Sequence, residues 1–173
     1  MLMYRFVQQK VAKFYLEGES FMANESNDPK YTYYEEVYKA FLNTIDSYDL
    51  PRLDDDELAD VLYGYMDAGR LMFSTYIAKD FMDDDPENKR FNFKMTRIEI
   101  TLLAQAMKLE WVREHLNSEE LMRKAIGDRD YTTVQGYQYI DRLQNMEKQL
   151  SREITTQINR LEYSNSELYG EMK

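Results

Sequence analysis

Between Tyr31 and Tyr48 the apolar positions Tyr34, Val37, Tyr38, Phe41, Ile45 and Tyr48 follow one another by threes and fours. That spacing puts them on one face of a helix. A second run opens near Asp54 and carries Leu58, Val61, Leu62, Tyr65, Met66, Phe73, Tyr76 and Ile77. Its first turn holds Asp55, Asp56 and Glu57, where the positive end of the helix dipole favours carboxylates. Asp83-Asp84-Asp85-Pro86 is expected to end it. Gly64 and Gly69 lie inside this run, and each weakens a helix by about 1 kcal/mol relative to Ala. Both therefore predict close approach of a neighbouring element.

Thr96 and Glu99 have the spacing of a capping box, in which each side chain takes a backbone N–H of the other's residue. The helix they start carries Ile100, Leu103, Met107, Leu109, Trp111, Val112 and Leu116. Ser118 is expected to cap a short fourth helix, Glu119 to Ile126, with Gly127 as its stop. The last helix is predicted from Thr132 or Thr133 to about Ser164. Its stripe is Val134, Tyr137, Ile140, Leu143, Glu147, Leu150, Ile154, Ile158 and Leu161. Thirty residues of helix extend about 45 Å. A small helical globule needs no such rod, so part of it is expected to pack on another molecule.

Upstream, residues 4–23 contain Phe6, Val7, Val11, Phe14 and Leu16, a pattern that permits a helix interrupted at Gly18. Residues 24–30 have the composition of a loop. The expected fold is all-α: a helical bundle with one long C-terminal helix and an extended or helical N-terminal arm. The arm covers residues 1–30 and the helical domain residues 31–173, a length that suits one domain with its own core.

Charge changes this picture in one respect. Residues 1–86 hold 8 Lys/Arg against 18 Asp/Glu, whereas residues 87–173 hold 14 of each, so the whole net charge of −10 sits in the first half. An acidic face repels nucleic acid and suits a basic protein partner, or imitates DNA toward a protein that binds it. The plainer reading is a solvated surface. Cysteine is absent, which excludes disulfides, thiolate metal sites and cysteine nucleophiles. The first ten residues lack the apolar run of a signal peptide, and no window approaches the length of a membrane span. A soluble protein without a cleaved leader is expected.

Candidate chemistry is sparse. Read as a calcium loop, Asp83, Asp85 and Glu87 occupy ligand positions, but Asn88 stands where the turn glycine belongs and Lys94 where the bidentate Glu belongs. In Asp54-Asp55-Asp56-Glu57, Leu58 and Ala59 fill ligand slots. A di-iron bundle needs paired Glu-x-x-His elements, and the single histidine, His115, follows Val112 at that spacing. His115 is read instead as a residue near a helix end that bonds the last carbonyls. There is no phosphate-binding glycine loop and no nucleophile elbow. No catalytic, cofactor or metal residue is expected, and the chain is read as a non-enzyme that needs no cofactor. The 15 tyrosines suit either protein interfaces or the half-buried edge of the chain's own core. Candidate interface residues are Tyr34, Tyr38, Phe41, Trp111, Tyr137, Ile154, Ile158, Tyr163 and Tyr169.

The order of features from Leu58 to Tyr169 resembles the head–tail connector (adaptor, neck) proteins of tailed bacteriophages. The residues that carry the resemblance are Phe91-Asn92-Phe93-Lys94-Met95-Thr96, then Ile98-Glu99-Ile100, Leu103-Ala104, Met107 and Glu110-Trp111-Val112, then Asp130-Tyr131, and Leu161-Glu162-Tyr163-Ser164 at the end of the long helix. Val112 stands where that pattern has Leu, and Gln135-Gly136 where it starts a helix with Ser-x-Ala. The first fifty residues lie outside the match. The resemblance implies a structural virion protein, assembled in the host bacterial cytoplasm. It implies a ring homo-oligomer between portal and tail, with portal and tail or neck proteins as partners. DNA would pass through without sequence-specific binding, and no membrane is involved. The alternatives are an acidic DNA mimic that inhibits a nucleic-acid-binding protein, another tail or neck component, and a hydrolase or metalloprotein.

Overall fold

The computed structural model describes residues 29–45, 50–126 and 136–165. Along them run β1 (Thr32–Tyr33), α1 (Tyr34–Leu42), a 3-10 turn (Leu50–Arg52), α2 (Asp55–Arg70), a second 3-10 turn (Leu71–Phe73), β2 (Asp84–Asp85), β3 (Arg90–Phe91), α3 (Arg97–Ile126) and α4 (Gly136–Asn165). The fold is all-α apart from one small sheet. The expected N-terminal arm up to residue 28, Tyr48 of the first predicted helix, and the predicted start of the last helix at Thr132 or Thr133 lie outside the described residues. The first predicted helix is shorter than the Tyr31–Tyr48 stripe: Thr32–Tyr33 are strand, and the helix ends at Leu42, where Asn43 caps it and the Thr44 hydroxyl bonds the Phe41 carbonyl at 2.7 Å.

Local capping chemistry sets two helix starts. Asp54 accepts the backbone N–H of Glu57 at 2.8 Å while the Glu57 carboxylate accepts that of Asp54 at 3.2 Å. Thr96 and Glu99 do the same for α3, at 3.3 and 2.6 Å. Each pair satisfies donors that no helical carbonyl can reach.

The first half of α3 is the centre of the molecule. Leu102, Leu103, Ala104, Ala106, Met107, Leu109 and Val112 are all buried, so this stretch is covered on several sides rather than along one stripe. Helix α1 supplies Val37 and Phe41, α2 supplies Leu58, Leu62 and Met66, and α4 supplies Ile154 and Ile158 to the same core. Helix α4 runs antiparallel to α3. Arg113 meets Glu147 across the pair, while the end of α4 lies near the start of α3. Beyond Val112, none of the α3 side chains to Met122 is buried.

Three further expectations need correction. The second helix stops at Arg70, and Phe73 and Tyr76 leave its axis to join an aromatic cluster. Phe73 stacks on Phe81 with ring centroids 4.1 Å apart, Tyr76 meets both edge-on, and Phe81 meets Phe93. Packing of these rings overrides the helical period, and Ile77 ends 86% exposed. Second, no break occurs at Ser118. Helix α3 runs unbroken to Ile126, because an exposed serine inside a helix costs only about 0.5 kcal/mol. His115 therefore sits mid-helix, with its Nδ1 2.9 Å from the Trp111 carbonyl oxygen one turn back. Third, Asp83-Asp84-Asp85-Pro86 is not a helix stop. It forms a strand and turn of an antiparallel sheet in the order β1-β3-β2, where Thr32 and Asp84 both face Phe91 and Tyr33 and Asp85 both face Arg90. Strands of two residues carry no alternation for a sequence reading to detect.

The two glycines of α2 also part company. A Cβ on Gly69 would stand 3.0 Å from the Met107 backbone nitrogen and 3.1 Å from the Ala106 carbonyl carbon, so the expected close approach is present. At Gly64 nothing lies within 4 Å. Gly64→Ala is accordingly expected to raise stability by about 1 kcal/mol. Gly69→Ala is expected to lower it by about 2 kcal/mol, because backbone cannot yield as a flexible side chain does. Thermal unfolding of the two variants measures both signs; equal effects would contradict this packing.

Candidate interaction surfaces

Of the candidate interface residues, five belong to the chain's own core. Tyr34, Tyr38, Phe41, Ile154 and Ile158 are at most 5% exposed and present no outer surface. Tyr34 packs edge-on against Phe91 at 5.3 Å and tilts against Tyr38 and Tyr63. Trp111 is half-buried, packed on the core and against the His115 ring at 4.1 Å. Tyr163 is 67% exposed. The Tyr137 side chain and Tyr169 lie outside the described residues. An apolar helical stripe says that a face will be covered, and here the chain itself covers most of it.

The acidic run 83–85 is likewise turned to internal use. Asp84 accepts a hydrogen bond from the Tyr34 hydroxyl and lies 3.0 Å from Nη1 of Arg70, itself nine-tenths buried. Asp85 accepts the backbone and side-chain amides of Asn88 and lies 3.5 Å from Arg90, so its carboxyl is held below the usual range, chiefly by Asn88. Asp83 accepts from the Asn92 amide at 2.7 Å. Among the described residues no group of His, Asp and Glu side chains could hold a metal ion.

A second polar cluster joins three distant segments. Glu99 is 2% exposed and takes Lys79 Nζ at 2.6 Å, the Tyr76 hydroxyl at 3.0 Å and the backbone N–H of Thr96. Burial works to raise its carboxyl, but the bonds from Lys79, Thr96 and Tyr76 outweigh that and hold it below the ordinary range. The Tyr76 hydroxyl in turn accepts from the Asn165 amide at 2.8 Å, and Glu162 accepts the backbone N–H of Ile77 at 3.0 Å. The end of α4 is thereby tied to the loop after α2 and to the cap of α3. Tyr34, Tyr65 and Tyr76 all have hydroxyls pushed well above the usual phenol range, first by burial and then by the carboxylates of Asp84, Glu114 and Glu99 respectively.

The outer surface offers two apolar features. One is an open groove of about 510 Å³ between α2 and the far half of α3. Val61, Gly64, Ala68 and Leu121 form its floor and end, and Glu110, Arg113 and Glu114 line its α3 side. Arg113 bonds both Glu110 at 2.7 Å and Glu147 at 3.1 Å, and Tyr65 donates to Glu114. The other is a scatter of exposed apolar side chains on the α3–α4 pair: Leu121 at 65%, Met122 at 50%, Tyr139 at 42% and Met146 at 39%. Neither feature was read from the sequence. Gly64, an internal glycine with no neighbour to accommodate, is the signal that could have marked the groove.

No helix among the described residues is long and apolar enough to cross a membrane. Comparison with protein-family models, with curated proteins and with solved structures finds no match for this chain.

Proposed function

We propose that this chain is a structural subunit of a tailed bacteriophage neck, a head–tail connector that assembles as a ring between portal and tail. The observation that carries the reading is the α3–α4 pair. Both helices run 30 residues, and the near half of α3 is buried while the far half leaves Leu121 and Met122 in solvent. Large apolar side chains on a projecting helix pair are suited to cover by another subunit. Several residues that carry the resemblance hold the fold together. Phe91 is buried in β3, Thr96 and Glu99 cap α3, Leu103, Ala104 and Met107 fill the core, and Glu162 docks the end of α4.

In a ring of identical subunits each makes the same heterologous contact with the next, and the rotation closes. The acidic first half of the chain then supplies repulsion that lets DNA slide without being held. The work is structural rather than catalytic. The DNA-imitation alternative would draw on the acids of residues 46–60 and 80–87; Asp84 and Asp85 spend their carboxylates within the fold, which counts against it, while Asp54, Asp55, Asp56, Glu57 and Asp60 stay exposed.

Native mass spectrometry and negative-stain electron microscopy test the proposal. The expected result is a closed ring of identical subunits, alone or on addition of the portal. A protein that stays monomeric at micromolar concentration, and is missing from purified virions, overturns it.

A further inference from the structure

Two exposed surfaces of this molecule are chemical opposites. The first is the groove between α2 and the far half of α3. Its floor is Val61, Gly64 and Ala68, and Leu121 stands exposed at its end. Asp60 and Asp67, at positions i−4 and i+3 from Gly64, are exposed along the α2 rim. Glu110 and Glu114 line the α3 side, where the lining cation, Arg113, already bonds Glu110 and Glu147. The groove is an apolar trough with a negative rim.

The second surface is the outer side of α4. Ile140, Leu143, Ile154 and Ile158 are buried on the inner side of that helix. Tyr139, Arg142, Met146 and Gln149, spaced by threes and fours, form an exposed strip elsewhere on it. Arg142 stands between the two large apolar side chains, and Arg152 is exposed one turn beyond Gln149. Of the acids on α4, Glu147 is turned to Arg113 and Glu162 to the Ile77 backbone. That leaves four exposed cations, Arg142, Lys148, Arg152 and Arg160, against two exposed acids, Asp141 and Glu153. In a chain of net charge −10, this helix presents apolar side chains among positive charges, the complement of the groove.

We propose that the outer strip of α4 from one copy seats in the α2–α3 groove of the next. Tyr139 and Met146 lie over Gly64, and Arg142 and Arg152 lie among the rim carboxylates. The inference rests on the ring reading above and names the two surfaces that meet in it. Groove and strip are unlike surfaces on different elements, so each copy offers one to either neighbour. Such a heterologous contact repeats from copy to copy until the rotation closes. It also accounts for Gly64. In the single chain nothing lies within 4 Å of a Cβ at that position, so Gly64→Ala stabilises the lone fold. The open floor has a use only when a second copy arrives.

Charge reversal tests the pairing. One variant carries Asp60→Lys and Glu114→Lys on the rim, and the other carries Arg142→Glu and Arg152→Glu on α4. All four side chains are exposed, and circular dichroism checks that each variant stays helical. Native mass spectrometry is expected to show each variant associating at least about tenfold more weakly than wild type. Mixing the two variants is expected to restore assembly, because each then meets the opposite charge on the other. Gly64→Leu, which fills the trough at a site exposed in the single chain, is expected to weaken assembly to a similar degree. Reversed variants that assemble like wild type overturn the inference and leave the ring reading standing, as does a mixture that fails to associate. Gly64→Leu assembling like wild type overturns the seating over Gly64. A wild type with no self-association at about 100 μM also overturns the inference, whereas the neck reading falls only if the chain is missing from virions as well.

Discussion

Asp84→Ala is expected to destabilise the protein by about 3 kcal/mol, because it strips a buried guanidinium of its one buried counter-charge among the described residues. Asp84 and Arg70 are each almost fully enclosed, with side-chain exposures of 8% and 9%. The pair is held by charge more than by hydrogen-bond geometry. Nη1 of Arg70 lies 3.0 Å from the carboxylate without the alignment of a good bond, and Nε has no acceptor. Burial acts against the guanidinium, but Asp84 first and Asp67 second keep it more firmly protonated than usual. Asp67 is half exposed and replaces only part of what Asp84 supplies. The substitution also leaves the buried Tyr34 hydroxyl without its acceptor. For a chain of this length the loss corresponds to a fall of about 6–12 °C in Tm. The double variant Asp84→Ala/Arg70→Met is expected to recover most of it, since removing both charges leaves none stranded. A single-variant cost below about 1 kcal/mol would refute this account of the hub.

Glu99→Gln is expected to cost about 2–3 kcal/mol near pH 7, and less as the solution is acidified. Glu99 is almost wholly buried and gathers Lys79, Tyr76 and the backbone of Thr96. The neutral amide keeps the shape but loses the charge that Lys79 faces. Because the folded carboxyl titrates below its ordinary value of 4.5, its stabilising contribution is complete above that value. The contribution is lost as pH falls through the lower, folded value. Urea unfolding of wild type and variant between pH 7 and pH 3 should show two curves that converge at the acid end. Parallel curves would show that the Glu99 charge contributes nothing. Hydrogen exchange supplies a second readout. The Ile77 amide, bonded to Glu162, should lose protection in Glu99→Gln, because Tyr76 links the two contacts through Asn165.

What could be read from the sequence was chemistry within three or four residues. The pairs Asp54/Glu57 and Thr96/Glu99 mark helix starts because the partner is one turn away. The spacing of Ile140, Leu143, Leu150, Ile154 and Ile158 marks α4 for the same reason. What escaped depended on distance along the chain. Asp84 finds Tyr34 fifty residues earlier, and nothing near Asp84 announces it. The stripe through Phe73 and Ile77 looked helical, yet ring packing on Phe81 turned the backbone aside. Periodicity marked Tyr34, Phe41 and Ile154 as a face to be covered but not whose atoms would cover it, and the cover is intramolecular. Gly64 and Gly69 look alike in sequence and differ only in whether α3 lies above them. The candidate surfaces were the least legible part, because exposure is a property of the assembled helices.

Helix α3 joins a packed core to the exposed Leu121 and Met122, with no Pro or Gly between Arg97 and Ile126. A rod without a hinge passes force along its length. A push or pull applied near Leu121 arrives at Leu103 and Met107 as strain in the packed interior rather than as local bending, so the far end works as the arm of a stiff lever whose fulcrum is the protein's own centre.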